Sequence, residues 1–155
     1  MKRFFHILLL SLVLLGSPAC GTLYQGGGRL SQTSVESLKE KILSYGESHP
    51  DGFTLDIRTF SEADNGISVA CQLRRDRQSL EDVISHAYRN GGYVGGWWDS
   101  VNGRYVYDSV RLFPEDQLDE AMEFGRRNRQ DAIYIISSGT EIRLVPEGMT
   151  LQYQY

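Results

Sequence analysis

Trp97-Trp98-Asp99 and, across Asn102-Gly103, Arg104-Tyr105-Val106-Tyr107-Asp108 form the densest aromatic and acidic segment of the chain. Two carboxylates at short range can act as acid and base, and an indole or phenol beside them offers a flat apolar surface to a sugar, a cation or a protein side chain. Asn-Gly between alternating apolar residues predicts a two-residue type I′ turn. That turn sets Val101 opposite Arg104, Asp99 opposite Val106, Trp98 opposite Tyr107 and Trp97 opposite Asp108. Cross-strand partners share a face, so Trp97, Asp99, Val106, Asp108 and Val110 fall together, and Trp98, Ser100, Tyr105 and Tyr107 lie opposite. If the Trp98 face is buried, Trp97 stands over carboxylates roughly 7–8 Å apart. If the Trp97 face is buried, Trp98 and two tyrosines form an open patch suited to a macromolecular partner. Either way, at least one tryptophan is expected to be exposed.

Other residues that could do chemistry are sparse. His49 precedes a proline, and His86 shares a helix face with Asp82 and Arg89; both are expected in solvent, with no second histidine at metal-ligand spacing. Cys71 alternates with Ile67, Val69 and Leu73, which predicts an inward-facing, inert thiol. Arg74, Arg75 and Arg77 form one basic run. Arg126, Arg127 and Arg129 form another, at a helix C-terminus where the dipole favours cations. No phosphate loop, dinucleotide fingerprint or nucleophile elbow occurs, so no cofactor and no catalytic residue is assigned.

The N-terminus bears on location. Lys2 and Arg3 precede an apolar run from Phe4 to Leu15, about 12 residues, where spanning a membrane takes roughly 20. Residues Leu12 to Cys20, ending Ser17-Pro18-Ala19-Cys20, resemble the processing region of bacterial lipoproteins, which implies cleavage before Cys20 and lipidation of its sulfur. Ser17 and Ala19 equally suit an ordinary secretory cleavage at the same bond. Acylation of Cys20 and an intrachain disulfide exclude each other, because both use one sulfur. The expected site is the cell envelope, with the protein lipid-anchored to a bacterial membrane on its periplasmic or surface side.

The signal takes Lys2 and Arg3 with it, so of 16 basic residues 14 remain against 20 acidic ones, a net charge of −6. An acidic chain disfavours nonspecific nucleic-acid binding. Residues 1–19 are read as signal, 20–32 as the lipidated cysteine and a Gly-rich tether spanning roughly 20 Å, 33–147 as one domain and 148–155 as a loose tail. Thr33-x-x-Glu36 has the form of a capping box, opening a helix with Val35, Leu38, Ile42 and Tyr45 on one face and Gly46 at its end. Strands at Phe53–Arg58 and Ile67–Leu73 follow, read as a hairpin around Asp64-Asn65-Gly66. A second helix starts after Ser79 and ends at Asn90, the aromatic hairpin comes next, a third helix runs from Pro114 to Asn128, and a last hairpin turns at Ser138-Gly139. The pattern predicts an α+β fold, three helices alternating with three β-hairpins, with helices covering a mainly antiparallel sheet.

Gly52-Phe53-Thr54-Leu55-Asp56, Val94-Gly95-Gly96-Trp97, Tyr107-Asp108-Ser109 and Asn128-Arg129-Gln130-Asp131-Ala132-Ile133 resemble a small, poorly characterised protein family of gut Bacteroidota and their mobile elements, over about residues 50–145. The resemblance carries over no functional residue. The sequence favours a lipid-anchored envelope protein whose domain binds a macromolecule, an envelope protein or glycan, as an inhibitor or immunity-like factor through Trp97, Trp98, Asp99, Tyr105, Tyr107 and Asp108. Two alternatives stand: a small hydrolase of envelope glycans using Asp99 and Asp108 with His86, and a mobile-element protein that sets its arginines on nucleic acid.

Overall fold

Helix α1 (Gln32–Ser48) begins two residues earlier than the Thr33 signal predicts, because Ser31 is the N-cap and its Oγ accepts the Ser34 N–H at 3.1 Å. The computed structural model of the chain describes residues 29–71, 79–100 and 102–144. The expected signal, Cys20, most of the tether, Arg74, Arg75, Arg77 and the tail lie outside the described residues. After α1 come β1 (Phe53–Asp56), β2 (Ser61–Glu62), β3 (Ile67–Ala70), α2 (Leu80–Arg89), β4 (Tyr93–Asp99), β5 (Arg104–Phe113), a 3-10 turn at Glu115–Gln117, α3 (Leu118–Arg127), β6 (Ala132–Ile135) and β7 (Thr140–Arg143). The chain is therefore α+β, with three helices packed on one antiparallel sheet. Helix α2 is capped by Ser79 as its sequence predicts, and Asp82 makes the cap reciprocal: Ser79 Oγ accepts the Asp82 N–H, and Asp82 accepts the Ser79 N–H.

The strand order is β2-β1-β4-β5-β3-β6-β7. This corrects the first expected hairpin. β1 turns straight back into β2, pairing Leu55 with Glu62 and Asp56 with Ser61, while β3 pairs with β5 and β6. The cause lies in the tight turn after Asp56, whose Oδ1 accepts the Arg58 N–H at 2.8 Å and where Phe60 takes a positive φ of 55°. The Asp64-Asn65-Gly66 segment then carries the chain onward to a different place in the sheet.

Every helix lies on one face. Phe53, Leu55 and Val94 pack with Val35 and Ile42 of α1 and with Val83, Ile84 and Ala87 of α2. Farther along the same face, Ile67, Val69, Phe113 and Ile133 pack with Ala121 and Phe124 of α3. Cys71 belongs to this second core. It is buried as expected, but it is disulfide-bonded, which corrects the lone thiol.

The opposite face carries no helix, yet Thr54 and Val110 on it are buried. A side-chain bond explains this. Thr54 Oγ1 on β1 donates to Ser68 Oγ on β3 at 3.0 Å, although the two strands stand three places apart in the order, roughly 14 Å in a flat sheet. The sheet coils until its helix-free face closes on itself. None of the described helices is long and apolar enough to cross a membrane.

Candidate functional site

β4 and β5 pair from Tyr93↔Val110 to Asp99↔Arg104. β1 accompanies β4 only as far as Gly96, and β3 reaches β5 only at Val110, with one further bond from the Cys71 N–H to the Ser109 carbonyl. Among the described residues, Trp97–Asp99 and Arg104–Val106 therefore pair only with each other, while Tyr107 and Asp108 pair with Gly96 and Gly95 at their base. They form a two-stranded ribbon that projects from the sheet.

The ribbon's register corrects the expected one by two residues. Asp99 faces Arg104, Trp98 faces Tyr105 and Trp97 faces Val106, so the loop has four residues, Ser100 to Gly103. A type I′ turn needs positive φ at both central residues. Among the described non-glycine residues only Phe60 and Arg129 have one, so Asn102 does not, and Gly103 alone does at 63°. Asp99 explains the choice. Its Oδ1 accepts the Asn102 N–H at 3.1 Å and its Oδ2 accepts Asn102 Nδ2 at 2.6 Å, while the Gly103 N–H reaches the Asp99 carbonyl. A slip of two keeps each side chain on its predicted face.

On the helix side lie Trp98, Tyr105 and Tyr107. Tyr105 O–H donates to the His49 carbonyl at 2.7 Å, and its ring stacks with Phe53 at 6.3 Å and contacts Tyr107 at 5.1 Å. Tyr107 lies against Gly46, where a Cβ would come within 2.6 Å of its hydroxyl. Both tyrosines thus anchor the ribbon's base to α1. Desolvation, with Tyr107, Asp51 and Glu62 nearby, pushes the Tyr105 hydroxyl up to about 12, and burial followed by Glu47 raises that of Tyr107. Trp98 overhangs this base, 51% exposed.

On the other side, Trp97 is 48% exposed and its Nε1–H donates to Asp108 Oδ2 at 3.0 Å. Neither tryptophan is the buried one the sequence allows for. Asp108 sits beside Gly95, which supplies no side chain, in the row that continues to buried Thr54. Desolvation raises its carboxyl above the ordinary 3.8, and the Trp97 bond offsets part of that rise. An acid raised in the folded state ionises there at higher pH than in the unfolded chain. Stability therefore falls as pH climbs from the ordinary aspartate range through the raised value, and at pH 7 the charge is a liability. Asp108→Asn keeps a carbonyl acceptor for Trp97 and should raise the urea midpoint at pH 7, with the gain vanishing near pH 3; an unchanged midpoint at pH 7 would contradict the desolvation.

The hydrolase residues do not converge. Asp99 and Asp108 are not diagonal neighbours: Arg104, the partner of Asp99, stands four residues before Asp108, roughly 13 Å along the strand. That exceeds the spacing at which paired carboxylates cleave glycosides, and both Asp99 oxygens serve the turn. His86 is on the opposite side of the sheet, with Nδ1 2.8 Å from Ser109 Oγ, and Ser109 is fully buried. The expected solvated His86 is thus half-buried, because Ser109 needs a polar partner under α2; desolvation, then Arg89, lowers its pKa. His49 is also half-buried, stacked on Tyr45 with centroids 3.8 Å apart. The Ser109–His86 and Thr54–Ser68 contacts were missed because they depend on strand order, which single strands do not carry. Arg126, Arg127 and Arg129 are exposed at the end of α3, with Arg127 paired to Glu123 at 2.5 Å. No group of three His, Cys, Asp or Glu suited to a metal occurs among the described residues.

Comparison of the chain with protein-family models, with curated proteins and with solved structures finds no match.

Proposed function

We propose that the domain is an exported binding module whose contact surface is the β4–β5 ribbon. One observation carries this: two adjacent tryptophans, one on each face of a projecting ribbon, are each about half exposed. Apolar area of this kind is normally buried, and exposed tryptophans held on a rigid frame are the usual anchors of protein interfaces. The frame here is Tyr105 and Tyr107 against α1 and Asp99 in the turn. The partner is a macromolecule of the cell envelope, where the signal-like N-terminus directs the chain. The disulfide at Cys71 supports an oxidising compartment outside the cytoplasm. If that bond is intrachain it uses Cys20, the other cysteine of the sequence, and leaves no sulfur for a lipid. If Cys20 is acylated, the chain holds no second thiol for Cys71. The mass of the unreduced mature protein separates a lipid-anchored product from an unanchored one.

Capture of partners from envelope extracts tests the proposal. Trp98→Ala should leave the unfolding midpoint nearly unchanged, Trp97→Ala should lower it modestly at pH 7 because Asp108 loses its indole bond, and at least one should weaken capture by about 2 kcal/mol or more beyond any such loss, the size of an interface hot spot. If both variants capture the same proteins as the parent chain, the ribbon is not the contact surface.

A further inference from the structure

The ribbon's surroundings define what it recognises. Asp108 accepts one bond from Trp97 through Oδ2, and among the described residues no basic side chain forms an ion pair with it. Glu47, Asp51 and Glu62 act on the tyrosines of the other face. Because the Trp97 N–H is committed to Asp108, the indole is held in one orientation and half its surface stays open. An oriented indole beside a half-buried carboxylate that has no ion-pair partner among the described residues suits a planar cation, which stacks on the ring and donates to the carboxylate together. An arginine guanidinium has that geometry and is less strongly hydrated than an ammonium.

We infer that the module's partner is a basic protein surface that seats an arginine side chain on Trp97 with its guanidinium against Asp108. This rests on the ribbon being the contact surface. The Asp108 charge, which opposes folding at neutral pH, is then compensated in the complex. A carboxylate kept at a folding disadvantage where a partner can neutralise it is the pattern of a functional group. The net charge of −6 from residue 20 onward steers a basic partner from a distance.

The test uses acetylated, amidated tetra-arginine and the indole N–H resonances of the processed protein. Trp97 should shift saturably, with affinity at least 10-fold weaker in Asp108→Asn and unchanged in Glu141→Gln, an acid on exposed β7 that controls for total charge. Asp108→Glu should retain part of the affinity. The inference is overturned if Trp97 shows no saturable shift, if Asp108→Asn and Glu141→Gln lose affinity equally, or if an uncharged glycan moves Trp97 where tetra-arginine does not. Partner capture sensitive to Trp97→Ala but indifferent to both Asp108→Asn and tetra-arginine would sink the inference and leave the binding proposal standing. Capture indifferent to both tryptophan variants would sink the binding proposal itself.

Discussion

Gly96→Ala is expected to lower the unfolding free energy by about 3 kcal/mol, near the upper end of what one added methyl does in a packed interior. A Cβ on Gly96 would fall 2.6 Å from Phe53 Cε1, 2.7 Å from its Cζ and 2.8 Å from Tyr105 Cε1. These are ring atoms, and neither ring is free to turn away. Phe53 is buried in the first core and meets Tyr45 edge-on at 5.1 Å, while Tyr105 is tied to the His49 carbonyl. Gly103→Ala supplies the contrast. Its Cβ would meet nothing within 4 Å, but the residue sits at φ 63°, so only the backbone penalty of about 1 kcal/mol applies. Urea unfolding of the two variants separates crowding from dihedral strain. Equal losses would mean that the Phe53–Tyr105 stack yields without strain.

Leu55→Ala should be at least as damaging, at about 4 kcal/mol. Leu55 is fully buried at the centre of β1, between Val94 on β4 and Glu62 on β2, in one core with Ile42 and Ile84. Deleting three carbons there loses their transfer free energy and leaves a cavity that the flanking strands cannot collapse into. Against a total stability of roughly 5–15 kcal/mol, the loss is a large fraction. Leu55→Met keeps the volume and should stay under about 1.5 kcal/mol. Thermal unfolding of both variants checks the difference; equal midpoints would mean that the site relaxes around the missing atoms.

The helices were legible because their signals are local. Ser79-x-x-Asp82 and the Val83, Ile84, Ala87 stripe specify α2 within one turn of chain, and α3 ends at Asn128 as its composition predicts. The faces of the ribbon were legible because alternation has period two. Its register was not, and the last hairpin repeats the error: Ile135 faces Thr140, so the loop is Ile136 to Gly139, again ending in a glycine at φ 63°. In both, a polar residue before glycine resembles a two-residue turn, yet the longer loop needs positive φ at the glycine alone. The sheet order was not legible at all. Nothing within β3 announces that it inserts between β5 and β6, and the burial of Thr54 and Val110 on the helix-free face follows from that insertion and the coil it permits.

The Thr54–Ser68 closure also governs the far side of the sheet. A layer that curls inward on one face spreads apart on the other, so helices on the outer face diverge. Accordingly α1 and α2 share one core, while α3 shares a separate one with β6 and its neighbours. The two helical groups communicate through the strands between them rather than by mutual packing. The free energy for opening the α3 end is then set by its own seven buried residues, from Ile67 to Ile133. That end can exchange its amides in a partial unfolding that leaves α1, α2 and the tryptophan ribbon in place.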